Sequence, residues 1–112
     1  MANRDQLVRA AYEVLTGDGQ EPSPEDYAKI DGVIPGKLAE LASPGRRVVY
    51  VADPDNFPDA YLEWLAVLVA NTFDLRGFGR PISADEIQLA EMRLRSIQAA
   101  APLYRPVRVQ YF

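Results

Sequence analysis

Residues 58–73 read PDAYLEWLAVLVANTF. Wound at 3.6 residues per turn, Tyr61, Leu62, Trp64, Leu65, Val67, Leu68, Val69 and Phe73 cover most of a helix circumference. Such a helix has to be covered on several sides, so it is expected at the centre of a helical domain. Pro58 suits the opening of that helix, and Asp59 suits the positive end of its dipole. The uncharged run WLAVLVANTF is ten residues long, well short of the roughly 20 needed to span a bilayer.

The flanking sequence supplies covers for this centre. Asn3 is an N-cap for a helix to about Thr16, with Leu7, Ala10, Ala11, Val14 and Leu15 on one face. Gly17, Asp18 and Gly19 stop it. Ser23, Pro24, Glu25 and Asp26 start a second helix as N-cap, first-turn proline and first-turn acids. Tyr27, Ile30, Ile34, Leu38 and Leu41 form its buried stripe, while Gly32, Pro35 and Gly36 interrupt it. Proline removes a backbone donor and crowds the preceding turn, so a kink or split is expected near Val33. Ser83 and Glu86 form a capping box for the last helix. Ile87, Ala90, Met92, Leu94 and Ile97 are expected on its inner face, with Arg93 and Arg95 on the flank and Pro102 closing it. RVVYV at 47–51 is short, β-branched and bounded by turn signals, and predicts one internal strand. The expectation is a mainly α, four-helix domain over residues 1–102 with one short strand. Residues 103–112, LYRPVRVQYF, are expected to form an extended C-terminal docking arm.

Composition narrows the chemistry. The 112 residues suit one domain. The chain has no cysteine, hence no disulfide, thiolate metal site or cysteine nucleophile. It has no histidine either, which removes the commonest general base and the commonest transition-metal ligand. No apolar run of signal-peptide type occurs near the start, and a soluble protein made in a cytoplasm is expected. The formal net charge is −4, unevenly spread. Residues 1–75 carry 6 basic and 13 acidic side chains, and residues 76–112 carry 6 basic and 3 acidic ones. That polarity suits an acidic partner or a head-to-tail contact with another copy, and equally a solvated arginine-rich helix face.

Four stretches are candidate sites. Asp53, Asp55, Asn56 and Asp59 offer oxygen ligands of the kind calcium takes, but the glycine and glutamate of an EF-hand loop are missing, so a structural turn is expected and no metal. Paired carboxylates could serve sugar hydrolysis, yet 16 acids in one small chain make such a pair unspecific, and no enzyme is expected. Arg76 and Arg80 in RGFGR could touch phosphate or DNA, although the segment reads better as a helix terminator. In the arm, Arg105, Val107, Arg108, Val109, Tyr111 and Phe112 combine interface-favoured side chains with an extended, proline-stiffened backbone. Val107, Val109 and Tyr111 fall on one side of such a chain, and Arg108, Gln110 and Phe112 on the other. The arm could add to another chain's sheet edge, pair with RVVYV in its own fold, or stay unfolded.

The order of elements resembles a known family. LVRAAYEVL at 7–15 is followed by GDGQEPSPEDYAKIDGVI at 17–34 and RRVVYVADPDNFPDAYLEWLAVLVA at 46–70. An FG break and DEIQLAEMRLRSIQA at 85–99 complete the pattern. It resembles the small helical head-to-tail connector proteins of tailed bacteriophages, particularly the tail accessory factor family. The resemblance implies a structural virion protein of the neck, made in the bacterial host cytoplasm and needing no cofactor. It implies a homo-oligomeric ring, twelve-fold by the family pattern, that binds the portal protein on one side and the tail or nozzle protein on the other. DNA would pass through its channel without sequence-specific binding, and the ring would help retain it. The arm would reach onto the portal or a neighbouring subunit. A small helical adaptor or regulatory module, binding one protein partner through the same arm, is the alternative, and a carboxylate-based hydrolase of cell-wall sugar is a third.

Overall fold

A computed structural model describes residues 1–17, 21–72 and 82–100. Four helices make up the described chain: α1 (Arg4–Thr16), α2 (Pro24–Ala42), α3 (Leu62–Asn71) and α4 (Ala84–Ala100), with a 3-10 turn, Asp59–Tyr61, leading into α3. The fold is mainly α, as the hydrophobic periodicity requires.

α1, α2 and α4 begin where side-chain chemistry satisfies their first backbone donors, whereas α3 continues from the 3-10 turn without a side-chain cap. The Asn3 side chain accepts from the backbone N–H of Gln6 at 2.8 Å, and Gln6 Oε1 accepts from the Asn3 N–H at 3.0 Å. At the other end of α1, Gly17 takes φ 78°, a left-handed conformation that favours glycine, and its N–H reaches the Glu13 carbonyl. Ser23 Oγ accepts from the Asp26 N–H at 3.1 Å. Ser83 and Glu86 exchange the two bonds of their box, each 3.1 Å long.

α2 is not split. It runs without interruption from Pro24 to Ala42 with Pro35 inside it. Pro35 has no N–H, so the carbonyl of Asp31, four residues earlier, lacks its helical donor. Arg4 takes that place: its Nη2 donates to the Asp31 carbonyl at 3.0 Å, and its Nε donates to Asp31 Oδ1. The charged fork of a neighbouring helix thus occupies the position of the missing backbone bond.

Residues 47–51 do not form the expected strand, and the described residues contain no sheet. Their backbone bonds go elsewhere. The N–H groups of Val48 and Val49 both reach the Leu41 carbonyl at the end of α2, at 2.8 and 3.4 Å. Arg47 takes φ 48°, and the Tyr50 N–H donates to the Gln98 side chain of α4 at 2.8 Å. Val48 and Val49 are nevertheless buried, so the β-branched run is there to fill the core rather than to build a ladder. Among the described residues the one extended pairing is an isolated antiparallel bridge between Ala2 and Phe57, closed by two bonds of 2.8 and 3.0 Å.

α3 is the centre. It packs against α1, α2 and α4, whereas α1 and α4 make no contact with each other among the described residues. Leu65, Leu68 and Val69 of α3 are completely buried, with Leu7, Val8, Ala11 and Leu15 from α1 and Ile30, Ile34 and Leu41 from α2. Each large side chain so buried stabilises by about 1.5–3 kcal/mol. No polar or charged residue is buried among the described ones. Among the described residues α4 packs on α3 and on the 3-10 turn before it, and it buries a narrow stripe, Ala90 and Leu94, flanked by half-buried Ile87 and Ile97. Met92 does not join that inner face. It falls on the outside and is 58% exposed.

Candidate interaction surfaces

The residues singled out in the arm, Arg105, Val107, Arg108, Val109, Tyr111 and Phe112, lie outside the described residues, as do Arg76, Arg80, Phe73 and the boundary near residue 102. The surfaces that the described chain offers are carried on the two helices flanking α3.

On α4 the outward stripe is Asp85, Gln88, Leu89, Met92 and Arg95, which together line one shallow depression. Their spacing of three and four places them on one helix face. Leu89 and Met92 are exposed there. Beside them the loop after α2 is tied down by ions. Arg46 bonds to Glu40 at 3.1 Å and also to Glu91 of α4, and Arg95 Nη2 donates to the Arg46 carbonyl at 3.1 Å. With its backbone fixed by Gln98, Tyr50 projects into solvent and is 65% exposed. On the side facing α3, the Arg93 guanidinium lies 5.9 Å from the centre of the Trp64 ring, within cation–π range.

On the opposite flank α1 and α3 enclose a groove of about 400 Å³. Both helices set out from the Ala2–Phe57 bridge. Ala10, Val14, Leu62 and Ala66 give the groove an apolar floor, and Glu13, Asp59 and Glu63 give it an acidic rim. The Glu13 and Glu63 side chains have no cationic partner among the described residues. A second depression of about 370 Å³ continues past Ala10, Glu13 and Leu62 towards Glu21 and Pro22.

That continuation is bordered by a polar cluster joining α1 to the start of α2. Tyr27 donates its hydroxyl to Asp5 Oδ1 at 2.7 Å. Arg9 bonds to Asp5 at 3.0 Å and to Glu21 at 2.7 Å, with its guanidinium 6.0 Å from the Tyr27 ring centre. The Tyr27 hydroxyl first, and Arg9 second, hold Asp5 below the ordinary carboxylate range. The same bond holds the Tyr27 phenol above its ordinary range. The cluster is exposed and fully paired, so it fastens two helices and leaves no group poised for reaction.

The aspartate-rich turn is a self-contained structure. Asp53 Oδ1 accepts from the Asp55 N–H at 2.9 Å, and the Asp53 carbonyl accepts from the Asn56 N–H at 3.0 Å. The side chain that could have faced a cation is turned onto its own backbone, the habit of aspartate in tight turns. No group of three possible metal ligands occurs among the described residues. A glycosidase acid needs burial to keep its proton, and no carboxylate among the described residues is buried.

Neither the Arg4–Asp31 clamp nor the acidic groove was foreseen from sequence. The clamp had a signal in Pro35, which names Asp31 as the carbonyl in need of a donor. The groove had none, because it depends on how α1 and α3 approach.

No family model, curated protein or solved structure matches the chain. No helix among the described residues is long and apolar enough to cross a membrane.

Proposed function

We propose that the chain is a structural subunit of a bacteriophage head-to-tail connector, repeated in a ring between portal and tail that helps to retain packaged DNA. One observation carries this reading beyond the resemblance of the sequence. The two exposed flanks differ in chemistry and lie on different elements, one on α4 and the other between α1 and α3, and α1 and α4 make no contact with each other among the described residues. One is the α4 stripe, with exposed Leu89 and Met92 among Asp85, Glu91 and Arg95; the other is the acid-rimmed groove of α1 and α3. A ring of identical subunits needs a heterologous contact, in which one face of a subunit meets a different face of the next. A symmetric dimer would need only one self-complementary patch. The net acidic charge suits a channel through which DNA slides, since phosphate neutralisation by lysine and arginine would hold it. The subunit acts by shape and docking, with no chemical step.

Electron microscopy of the virion that carries this chain tests the reading. Density for the four-helix unit is expected as a ring at the neck, between portal and tail. A neck whose density excludes the four-helix unit would refute it.

A further inference from the structure

We infer that the groove between α1 and α3 receives residues 103–112 of a second copy of this chain. The groove has an apolar floor of Ala10, Val14, Leu62 and Ala66 beneath the carboxylates of Glu13, Asp59 and Glu63. Its occupant must therefore be apolar along one side and basic at its flanks. Within the chain one segment outside the described residues has that chemistry. Residues 103–112, LYRPVRVQYF, hold Arg105 and Arg108 with no acid among them. In extended form Arg105, Val107, Val109 and Tyr111 share a side, so the three apolar side chains can lie on the floor with Arg105 at the end against one rim carboxylate, while Arg108 on the opposite side carries the second positive charge above the rim.

Length agrees with this assignment. The α3 side of the groove runs from residue 59 to 66, about 11 Å at 1.5 Å per helical residue. Ten extended residues span about 33 Å. The segment can fill the groove and still bridge from the subunit it leaves. Two features favour a neighbouring copy as the source over the same chain. The segment departs from α4, which lies across α3 from α1 and makes no contact with it among the described residues. Charge separation along the sequence takes the same direction, with net −7 in residues 1–75 and net +3 in residues 76–112, from 6 − 13 and 6 − 3. The contact would be the lateral joint of the ring; it rests on the connector reading for ring closure, while its chemistry stands on the groove and the segment.

The test uses full-length chains with one partner of the contact reversed in each. Glu13→Lys with Glu63→Lys spoils the groove, and Arg105→Glu with Arg108→Glu spoils the segment. Analytical ultracentrifugation should show self-association of the unaltered chain that weakens with salt. Each variant alone should associate about tenfold or more weakly. Mixed, the two variants set the arginine segment against the glutamate groove and the glutamate segment against the lysine groove, so opposite charges meet again at both contacts and a heterodimer should form, able to grow further through its second contact. Variants that stay monomeric when mixed overturn the inference, whether the segment folds back on its own chain or binds elsewhere. Should a charge variant misfold, a disulfide supplies the same test, because the chain has no cysteine of its own. Chains carrying Ala10→Cys and Val109→Cys should form a mixed disulfide on oxidation; its absence overturns the inference. If the groove variant still assembles as a ring on a portal, the inference fails and the connector reading survives. If the heterodimer forms but no ring appears on a portal, the connector reading fails instead.

Discussion

Arg4 holds Asp31 twice, by the carboxylate through Nε and by the backbone carbonyl through Nη2. The second bond exists because Pro35 cannot supply a donor to that carbonyl. A residue at the start of α1 thereby repairs a defect in the middle of α2 and fixes the two helices together. Arg4→Ala should lower unfolding free energy by about 1–2 kcal/mol, at the modest end for a charged hydrogen bond because the pair is half-exposed. Arg4→Lys should recover only part, since an ammonium lacks the planar fork. Pro35→Ala restores the backbone donor, so Arg4→Ala should cost less in that background. Urea unfolding of the four chains of this cycle measures the coupling, and strict additivity would contradict it.

The Asp5–Tyr27 bond needs an ionised carboxylate and a protonated phenol. Asp5 is lowered, so its contribution is present above its unfolded pKa and lost as pH falls through the folded one. Tyr27 is raised, so its contribution is present below its unfolded pKa and lost as pH rises through the folded one. Both therefore favour the fold between about pH 4 and pH 10. Thermal melts across pH should show shallower acid and alkaline limbs for Tyr27→Phe than for the unaltered chain. Tyr61, raised by burial, should keep its part of the alkaline limb. Identical limbs in the two chains would count against the bond.

Position on α3 and α4 separates core from surface. Leu65 is wholly buried, and Leu65→Ala should cost about 2–5 kcal/mol through lost burial and the cavity left behind. Met92 is exposed, and Met92→Ala should stay within about 0.5 kcal/mol of the parent. Guanidinium unfolding midpoints distinguish the two, and a large loss from Met92→Ala would place it in the core after all.

Among the described residues the buried core lies between Ala2 and Leu94. Removing residues 103–112 should leave helical circular dichroism unchanged and stability within about 1 kcal/mol, while abolishing association between copies. A truncated chain that unfolds would show that the segment belongs to its own core.

Much of this fold was legible because helix starts are written locally. Asn3, Ser23 and Ser83 each cap the helix they announce, since a side-chain oxygen three residues before a backbone N–H works the same way in any context. The apolar breadth of 58–73 placed α3 at the centre for a similar reason. Residues 47–51 misled because β-branched side chains fit a buried coil as well as a strand, and only a partner ladder distinguishes them. Met92 misled because α4 is covered along one side only, by α3 and the turn before it, which narrows the buried stripe. Pro35 indicated a lost bond but not Arg4, whose arrival depends on a contact 27 residues away in sequence. The interaction surfaces were the least legible, for a groove belongs to the pairing of two helices and to neither sequence alone.

Native mass spectrometry of the chain with the portal of its own virion tests the connector assignment most directly. A complex is predicted whose mass exceeds that of the portal by a whole ring of chains, with no ring formed when the portal is left out at low concentration. An unaltered portal beside free monomer, at concentrations that saturate an authentic neck contact, would contradict the account.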